Sequence, residues 1–513
     1  MKTTGWSYQK KVLTLIAAVG ILRLILAFTV QLGNDESYYW LYSQHLKSNY
    51  FDHPPMIALW IRASTLNLLL ENYPGFIRLS SVISCSVAAW FMYKCVSLIR
   101  NERAGFIAAC LYNASFYAGI TAGIFVMPDS PQMIFWTGSL WLIARILNDE
   151  TNRKNWILFG ISAGLCIMSK VHGIFIWIGM GCYILLLKRR WLTNAHVYIA
   201  VAISLIICLP ILIWNIQNNF ITNRFNEGRI NIYGVTHDWF YLLKESCGQL
   251  LINNPVNVIL VLLALFTWRK HTLKQFPALA VFNFIGLLHA GILLVISSYK
   301  DTLPHWSGPA YVTLIPLAAV YLDSKSKNKS AFLARLSLGL HVFVLIACVW
   351  LIYYYPGNFG ERSGRFIGYR DISLDMFGWK QAGKKFDSIY TVQQQNNIIP
   401  EHTPVVCYKW WGAHIEYHFC RPLNIRMIGL GYIMDLHEYM WMNDLRKDSV
   451  NMQQAFCIVP SDEFYNAKRV YKNYYSHIDS ITNIQIFRGG KPAHNFYIYR
   501  LSGWKGVIPL IKN

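Results

Sequence analysis

Charged side chains are scarce in this chain of 513 residues. Lys, Arg, Asp and Glu make up 14% of it, against about 25% in soluble domains, whereas 54% of its residues are hydrophobic. That scarcity excludes an ordinary soluble globular protein and points to an integral membrane one. Acids are the rarer sign, with 26 Asp and Glu against 47 Lys and Arg, so the formal net charge is +21. The basic excess falls mostly in short links between apolar segments, which is a topology signal and not a nucleic-acid-binding surface. The eleven cysteines include no CxxC pair and no zinc-like cluster, which excludes a redox or structural-zinc motif. Most lie in apolar segments as small buried hydrophobes. Cys407, Cys420 and Cys457 lie in a polar region, where an odd count and irregular spacing do not demand a disulfide. No internal repeat is visible, and so the signature of inverted-repeat transporters is missing.

Long apolar runs are what the chain does have. A spanning helix needs about 20 mostly apolar residues, and by that measure about eleven are predicted: 12–32, 76–99, 104–122, 131–148, 156–170, 173–187, 194–214, 255–268, 276–297, 306–322 and 332–354. The first is longer than a signal-peptide core and has no small-residue cleavage site after it, so it reads as a retained helix. Arg23 within it is expected to be paired inside the bundle. Every second link is basic, for example Lys188-Arg189-Arg190 and the links holding Arg269, Lys270 and Lys274 or Lys325, Lys327 and Lys329. These links and the N-terminus, with Lys2, Lys10 and Lys11, should face the cytoplasm, and an odd number of spans puts the C-terminus outside. The first outward loop, 33–75, reads as two interfacial helices. The first, 35–48, has Asn34 as its cap and acids in its first turn, as the helix dipole favours. The second, 56–70, is too short to span and carries Arg62. After Tyr355 the chain turns polar. A helix over 376–394, strands near 405–408, 455–459, 484–487 and 496–499, and a helix after Ser461 predict a small α/β domain. The expected organisation is a transmembrane catalytic domain, 1–355, and an extracytoplasmic α/β domain, 356–513.

The outward ends of the spans hold an unusual set of polar residues: Asp35, Glu36, Asp52, His53, Asp129, Lys170, Arg224, Arg229, Lys300 and His305. Ionisable groups at membrane depth are costly and usually face a cavity or one another. Acids there suit proton transfer, and cations suit an anion such as a phosphate at the lipid boundary. Each also has an ordinary explanation. A lone outward Lys or Arg is usually a solvated, snorkelling side chain; Asp35 and Asp129 could serve only as helix-start acids, and Asp52-His53 as a local turn. The N and O atoms of Asp52, His53 and His305 would also suit a divalent metal.

Asp35-Glu36-Ser37-Tyr38-Tyr39-Trp40 with Tyr50-Phe51-Asp52-His53-Pro54-Pro55 resembles the first outward loop of polyprenyl-phosphate-sugar-dependent glycosyltransferases of the GT-C superfamily, the protein O-mannosyltransferase-like and aminoarabinose transferase-like enzymes. Met127-Pro128-Asp129-Ser130-Pro131, Met168-Ser169-Lys170, Pro210-Ile211-Leu212-Ile213-Trp214-Asn215, Leu303-Pro304-His305-Trp306-Ser307-Gly308-Pro309-Ala310-Tyr311 and Phe377-Gly378-Trp379-Lys380 are similar to further segments of that family, so the likeness runs along nearly the whole chain. The resemblance implies a GT-C fold and a sugar donor on a polyprenyl phosphate. It further implies an acceptor hydroxyl or phosphate on a lipid or protein at the outer face, and inversion at the anomeric centre. Asp35 matches the family's essential acid and would be the general base. Asp129 matches its second acid and would orient acceptor or base. Lys170, Arg224, Arg229, Lys300 and His53 would stabilise the departing phosphate, and Glu36, Tyr39, His305 and Trp306 would contact substrate. The chain departs from the family at His53, where aminoarabinose transferases carry lysine. No nucleotide-sugar metal motif stands out, in keeping with a lipid-linked donor. A bacterial inner membrane is the location that this analogy favours. The competing reading is a flippase for lipid-linked sugars; a non-catalytic scaffold is a third. Neither needs Asp35 and Asp129.

Overall fold

The computed structural model describes residues 6–267 and 275–510. The basic residues expected to mark cytoplasmic links at Lys2, Arg269, Lys270 and Lys274 lie outside the described residues. Contacts divide the chain into two compact units, Met1–Thr29 with His45–Phe343, and Val30–Gln44 with Val344–Asn513.

In the first unit every apolar run contains a helix. Tyr8–Thr29, Pro74–Ile99, Ala195–Gln217, Pro277–Ser297 and, reaching into the second unit, Lys327–Tyr353 are each long and apolar enough to cross a bilayer. Trp239–Ile252 and Pro255–Thr267 would make a sixth span if counted together, although the pair is bent by 101°. The other runs form shorter or more polar helices: Glu102–Ala114, Asp129–Asn148, Arg153–Ser169, Ile174–Leu187 and Gly308–Asp323. In one of these the polarity has a structural source. Asp129, Gln132, Thr137 and Ser139, all on Asp129–Asn148, are fully buried, so this helix turns its polar groups inward to other protein. The helices approach closely where glycine permits. A Cβ on Gly160 would come within 2.5 Å of the Ala200 carbonyl oxygen, which draws Arg153–Ser169 against Ala195–Gln217, in the way that small residues let membrane helices pack.

The second predicted loop helix is only nine residues, Met56–Ser64. It ends in a turn where Leu66, Asn67 and Leu68 all have positive φ, and Leu66 and Leu69 are exposed. A helix of about 1.5 Å rise per residue is far too short to span at that length, and exposed leucines beside it suit an interfacial position. Helices Ile221–Ile230 and Trp239–Ile252 occupy the long link after Asn215, which the sequence left without structure.

In the second unit, five strands form one sheet: β1 (Val405–Cys407), β2 (Met427–Gly429), β3 (Gln454–Pro460), β4 (Tyr475–Arg488) and β5 (Lys491–Trp504). Their order is β2-β1-β3-β5-β4. β1 runs parallel to β2 and β3, and β5 runs antiparallel to β3 and β4. Gly489 and Gly490, both with positive φ, turn β4 into β5, as a tight hairpin requires. The amphipathic helix is Trp379–Gln395. Arg488, with no exposed side-chain surface, binds Asp371 at 2.8 Å, the Ser373 hydroxyl at 2.7 Å and the Gly357 carbonyl at 2.8 Å. It thereby ties the irregular stretch 357–373 to the hairpin. Cys407, Cys420 and Cys457 are buried free thiols. Helix Asn34–Gln44, which the sequence places in the first outward loop, packs within this unit.

Candidate active site

The first unit gathers several of the expected residues. Helices Asp129–Asn148 and Arg153–Ser169 are neighbours joined by a four-residue link. They run antiparallel, so the start of one lies beside the end of the other. Asp129 opens the first helix, after Pro128, where a carboxylate suits the dipole. Lys170 caps the second with extended backbone, φ −157° and ψ 136°. Its ammonium reaches both carboxylate oxygens of Asp129, at 2.8 and 2.9 Å. The Tyr117 hydroxyl donates a third hydrogen bond to Asp129, at 2.7 Å. The two charged side chains are 1% and 5% exposed.

Tyr117 is aimed by a break in its helix. The α-helix stops at Ala114, and Tyr117–Thr121 is a single turn of π-helix, a feature common at functional positions. A break inside a packed bundle frees carbonyls that must find other donors. Here Asn254 donates to the Ala114 carbonyl at 2.9 Å, Cys85 to Ala118 at 3.2 Å, and Arg23 Nε to Gly119 at 3.1 Å. Arg23 also donates to the Asn113 amide oxygen at 3.0 Å. Its expected pairing inside the bundle is therefore to neutral oxygens that hold the break.

Further groups surround the ion pair. Burial depresses the pKa of His53, and Lys170 and Arg229 push it the same way, against the opposing pull of Asp52 and Asp129. Burial and Lys170 likewise hold His305 down to about 4, with His53 and Arg229 adding to the effect and Asp129 opposing it. Both imidazoles are thus neutral near pH 7 and share one electrostatic neighbourhood with Asp129, Lys170 and Arg229. The Arg229 guanidinium lies 5.0 Å from the centre of the Trp306 ring. The remaining expected cations stand differently. Arg224 is exposed, and Lys300 reaches the Gly228 carbonyl, at 3.4 Å; neither is among the largest charges acting on His53 or His305. Lys170, expected at the donor phosphate, already has its charge matched by Asp129. Asp52 and His53 stand 3.9 Å apart. Among the described residues no three of His, Cys, Asp and Glu are grouped so as to hold a metal ion, so the metal suggested for Asp52, His53 and His305 lacks a ligand set.

In the second unit, Asp35 is exposed on the first turn of Asn34–Gln44, while Glu36 is buried. The Glu36 carboxylate accepts the Gly33 N–H at 3.0 Å, and the Ser37 N–H bonds the Gly33 carbonyl at 3.0 Å. Gly33, and not Asn34, therefore caps this helix, with Glu36 completing half of a capping box. Asp375 accepts the Asn34 N–H at 3.0 Å, and His414 Nδ1 meets the Asn34 side chain at 2.7 Å. Burial raises the Asp375 carboxyl to about 8; the Asn34 N–H opposes the rise, and Asp35, Asp462 and Glu36 add to it. Tyr39, expected at substrate, is 5% exposed and packs edge-on to Tyr42. Neither Tyr117 nor Asp375 carried a signal in the sequence. Tyr117 sits in an apolar run, and Asp375 lies 341 positions from the amide it binds.

A family model described as dolichyl-phosphate-mannose-protein mannosyltransferase matches residues 52–214. A lipid A galacturonosyltransferase of Rhizobium johnstonii is 27% identical over 194 residues, 38% of this chain and 40% of that protein. An undecaprenyl phosphate-alpha-4-amino-4-deoxy-L-arabinose arabinosyl transferase of Proteus mirabilis is 26% identical over 138 residues, 26% of this chain and 24% of that protein. These matches therefore span less than half of either curated relative. The crystal structure of ArnT from Cupriavidus metallidurans shares the fold at a TM-score of 0.62 and 12% identity, over 97% of this chain and 100% of that one. Its form bound to undecaprenyl phosphate gives 0.61 and 13%, over 96% and 99%. The chain thus shares the fold of that structure, mostly helical with a small C-terminal sheet. The resemblance to polyprenyl-phosphate-sugar-dependent transferases read from the sequence is borne out.

Proposed function

We propose that the protein is an inverting glycosyltransferase that moves a sugar from a polyprenyl phosphate to an acceptor at the outer face of a bacterial inner membrane. The observation that carries this reading is the buried Asp129–Lys170–Tyr117 group, with Arg229, His53 and His305 beside it, in a chain that follows over 96% of its length the fold of a protein crystallised with undecaprenyl phosphate. A buried ion pair is a poor stability device, which favours retention for chemistry. Asp35 is the general base, taking the acceptor proton as the alcohol attacks. Asp129, held by Lys170 and Tyr117, orients the reacting groups. Arg229 on Trp306 stabilises charge on the departing phosphate, with Arg224 and Lys300 as outer cations. Eleven spans, an extracytoplasmic C-terminus and the domain limits 1–355 and 356–513 complete the topology. Both curated relatives are named as sugar transferases, one of lipid A, and a glycolipid is accordingly the acceptor class proposed here.

Mass spectrometry of glycolipids and exported glycoproteins from cells with and without this gene tests the reading. A glycolipid lighter by one sugar in the deletion supports it; a change confined to glycoproteins moves the acceptor to protein. Asp35→Asn should lose the product while the purified protein still binds undecaprenyl phosphate. Full product with Asp35→Asn would overturn the assignment of the base.

A further inference from the structure

Tyr117 belongs to no motif that suggested function, yet it contacts the Asp129 carboxylate directly. Its hydroxyl, in a fully buried side chain, lies 2.7 Å from Asp129 Oδ1. Among the described residues, the other two hydrogen bonds to this carboxylate both come from one flexible lysine. An ammonium on a four-carbon stem fixes distance poorly as a director of orientation. A phenol on a rigid ring, fixed by two torsions, fixes it well. The ring also has a made seat. A Cβ at Gly308 would run into the ring atoms Cγ, Cδ1 and Cδ2 of Tyr117, closer than any side chain allows. Gly308 has an ordinary helical backbone, φ −52° and ψ −49°, so glycine is required there for space and not for conformation. The π-helical turn, held by Arg23 on the Gly119 carbonyl, supplies the rotation that carries the ring into that seat.

We propose that Tyr117 is a positioning residue for the transfer reaction, its hydroxyl setting the orientation of the Asp129 carboxylate, and that Gly308 exists to admit its ring. The inference rests on the transferase reading and deepens it. Lys170 supplies the charge that keeps Asp129 ionised, and Tyr117 supplies the direction. Removing the hydroxyl leaves the ring, its packing and the ion pair in place, but lets the carboxylate rotate about the lysine.

The test uses full-length protein in detergent. The donor probe is the polyprenyl-phosphate lipid fraction extracted from the source cells, and the readout is the product mass that the gene deletion removes. Tyr117→Phe should lower kcat about 10- to 100-fold, the loss expected for one hydrogen bond to a charged group, with KM for the donor fraction changed less than about threefold. Gly308→Ala should lower kcat in the same way. The double variant should fall no further than the worse single one, because the two act through one contact. Undecaprenyl phosphate binding should stay at the wild-type value for Tyr117→Phe. Wild-type kcat in Tyr117→Phe, a loss carried by KM, or additive losses in the double variant would each overturn the proposal while the transferase reading stands. Absence of transfer by the wild-type protein itself would remove both.

Discussion

Lys170→Met is the substitution that most directly weighs the buried ion pair. Lys170 and Asp129 are 5% and 1% exposed and meet at 2.8 Å. Lys244 and Asp301 in the same unit also meet at 2.8 Å, but are 45% and 50% exposed. Distance is held constant between the two pairs, and the chief difference is solvent access. An exposed pair contributes about 0–1 kcal/mol, because water screens the attraction and ordering two long side chains offsets it. Removing one member of a buried pair costs about 3–5 kcal/mol, because the survivor is left as an uncompensated charge out of water. After Lys170→Met, Asp129 keeps only the Tyr117 hydroxyl and either bears its charge in a poor solvent or takes a proton. Lys170→Met should therefore destabilise the protein by about 3–5 kcal/mol, and Lys244→Met by less than about 1 kcal/mol. Adding Asp129→Asn removes the stranded charge, so the double variant should recover about 2 kcal/mol or more relative to the sum of the single losses. The assay is equilibrium denaturation in mixed micelles at pH 7, followed by tryptophan fluorescence. Equal losses from Lys170→Met and Lys244→Met, or strict additivity with Asp129→Asn, would refute the argument that burial makes this pair costly to break.

Asp375 gives a pH signature. Its carboxyl is raised to about 8 in the folded protein, from an ordinary 3.8. The folded state thus holds a proton that the unfolded state has released between those values, and stability falls as pH rises through that window. Asp375→Asn, which keeps an oxygen for the Asn34 N–H, should flatten the decline of melting temperature from pH 5 to 9; an unchanged slope would show that the carboxyl is not buried as described. Gly160→Ala should destabilise by about 1–3 kcal/mol through overpacking, since its Cβ would meet the Ala200 backbone, and a melting temperature equal to wild type would contradict that close approach. Arg229→Ala should weaken undecaprenyl phosphate binding about 10- to 100-fold, the range for a lost charge-assisted contact, measured by native mass spectrometry. Unaltered binding would move the phosphate away from Trp306.

The apolar runs were legible because hydrophobicity along a helix is a local property, summed over neighbours in sequence. The helix after Gly33 and its acids were legible for a similar reason, since dipole complementarity acts within one turn. Its cap was misassigned to Asn34 because both residues suit a helix start; the Glu36 carboxylate, returning to the Gly33 N–H, decides between them. β2 escaped because three residues, Met427–Gly429, carry no period of their own and become a strand only by pairing with β1. The outward cations looked alike in sequence. The fold separates Lys170, neutralised by Asp129, from Arg229 on Trp306 and from Lys300 on a backbone carbonyl.

Sequence alone determined that this chain is a polytopic helical protein with a polar C-terminal region, and it supplied Asp35 and Asp129 as the acids of interest. Both follow from patterns that need no partner: long apolar runs, links of alternating charge, and short motifs. Only the tertiary structure decided which side chains meet. Tyr117 and Asp129 are 12 residues apart, Asp129 and Lys170 are 41 apart, and Asp375 reaches Asn34 across 341. Such contacts depend on how each helix is rotated and where it breaks, and those follow from packing against the rest of the bundle and not from any run of neighbouring residues.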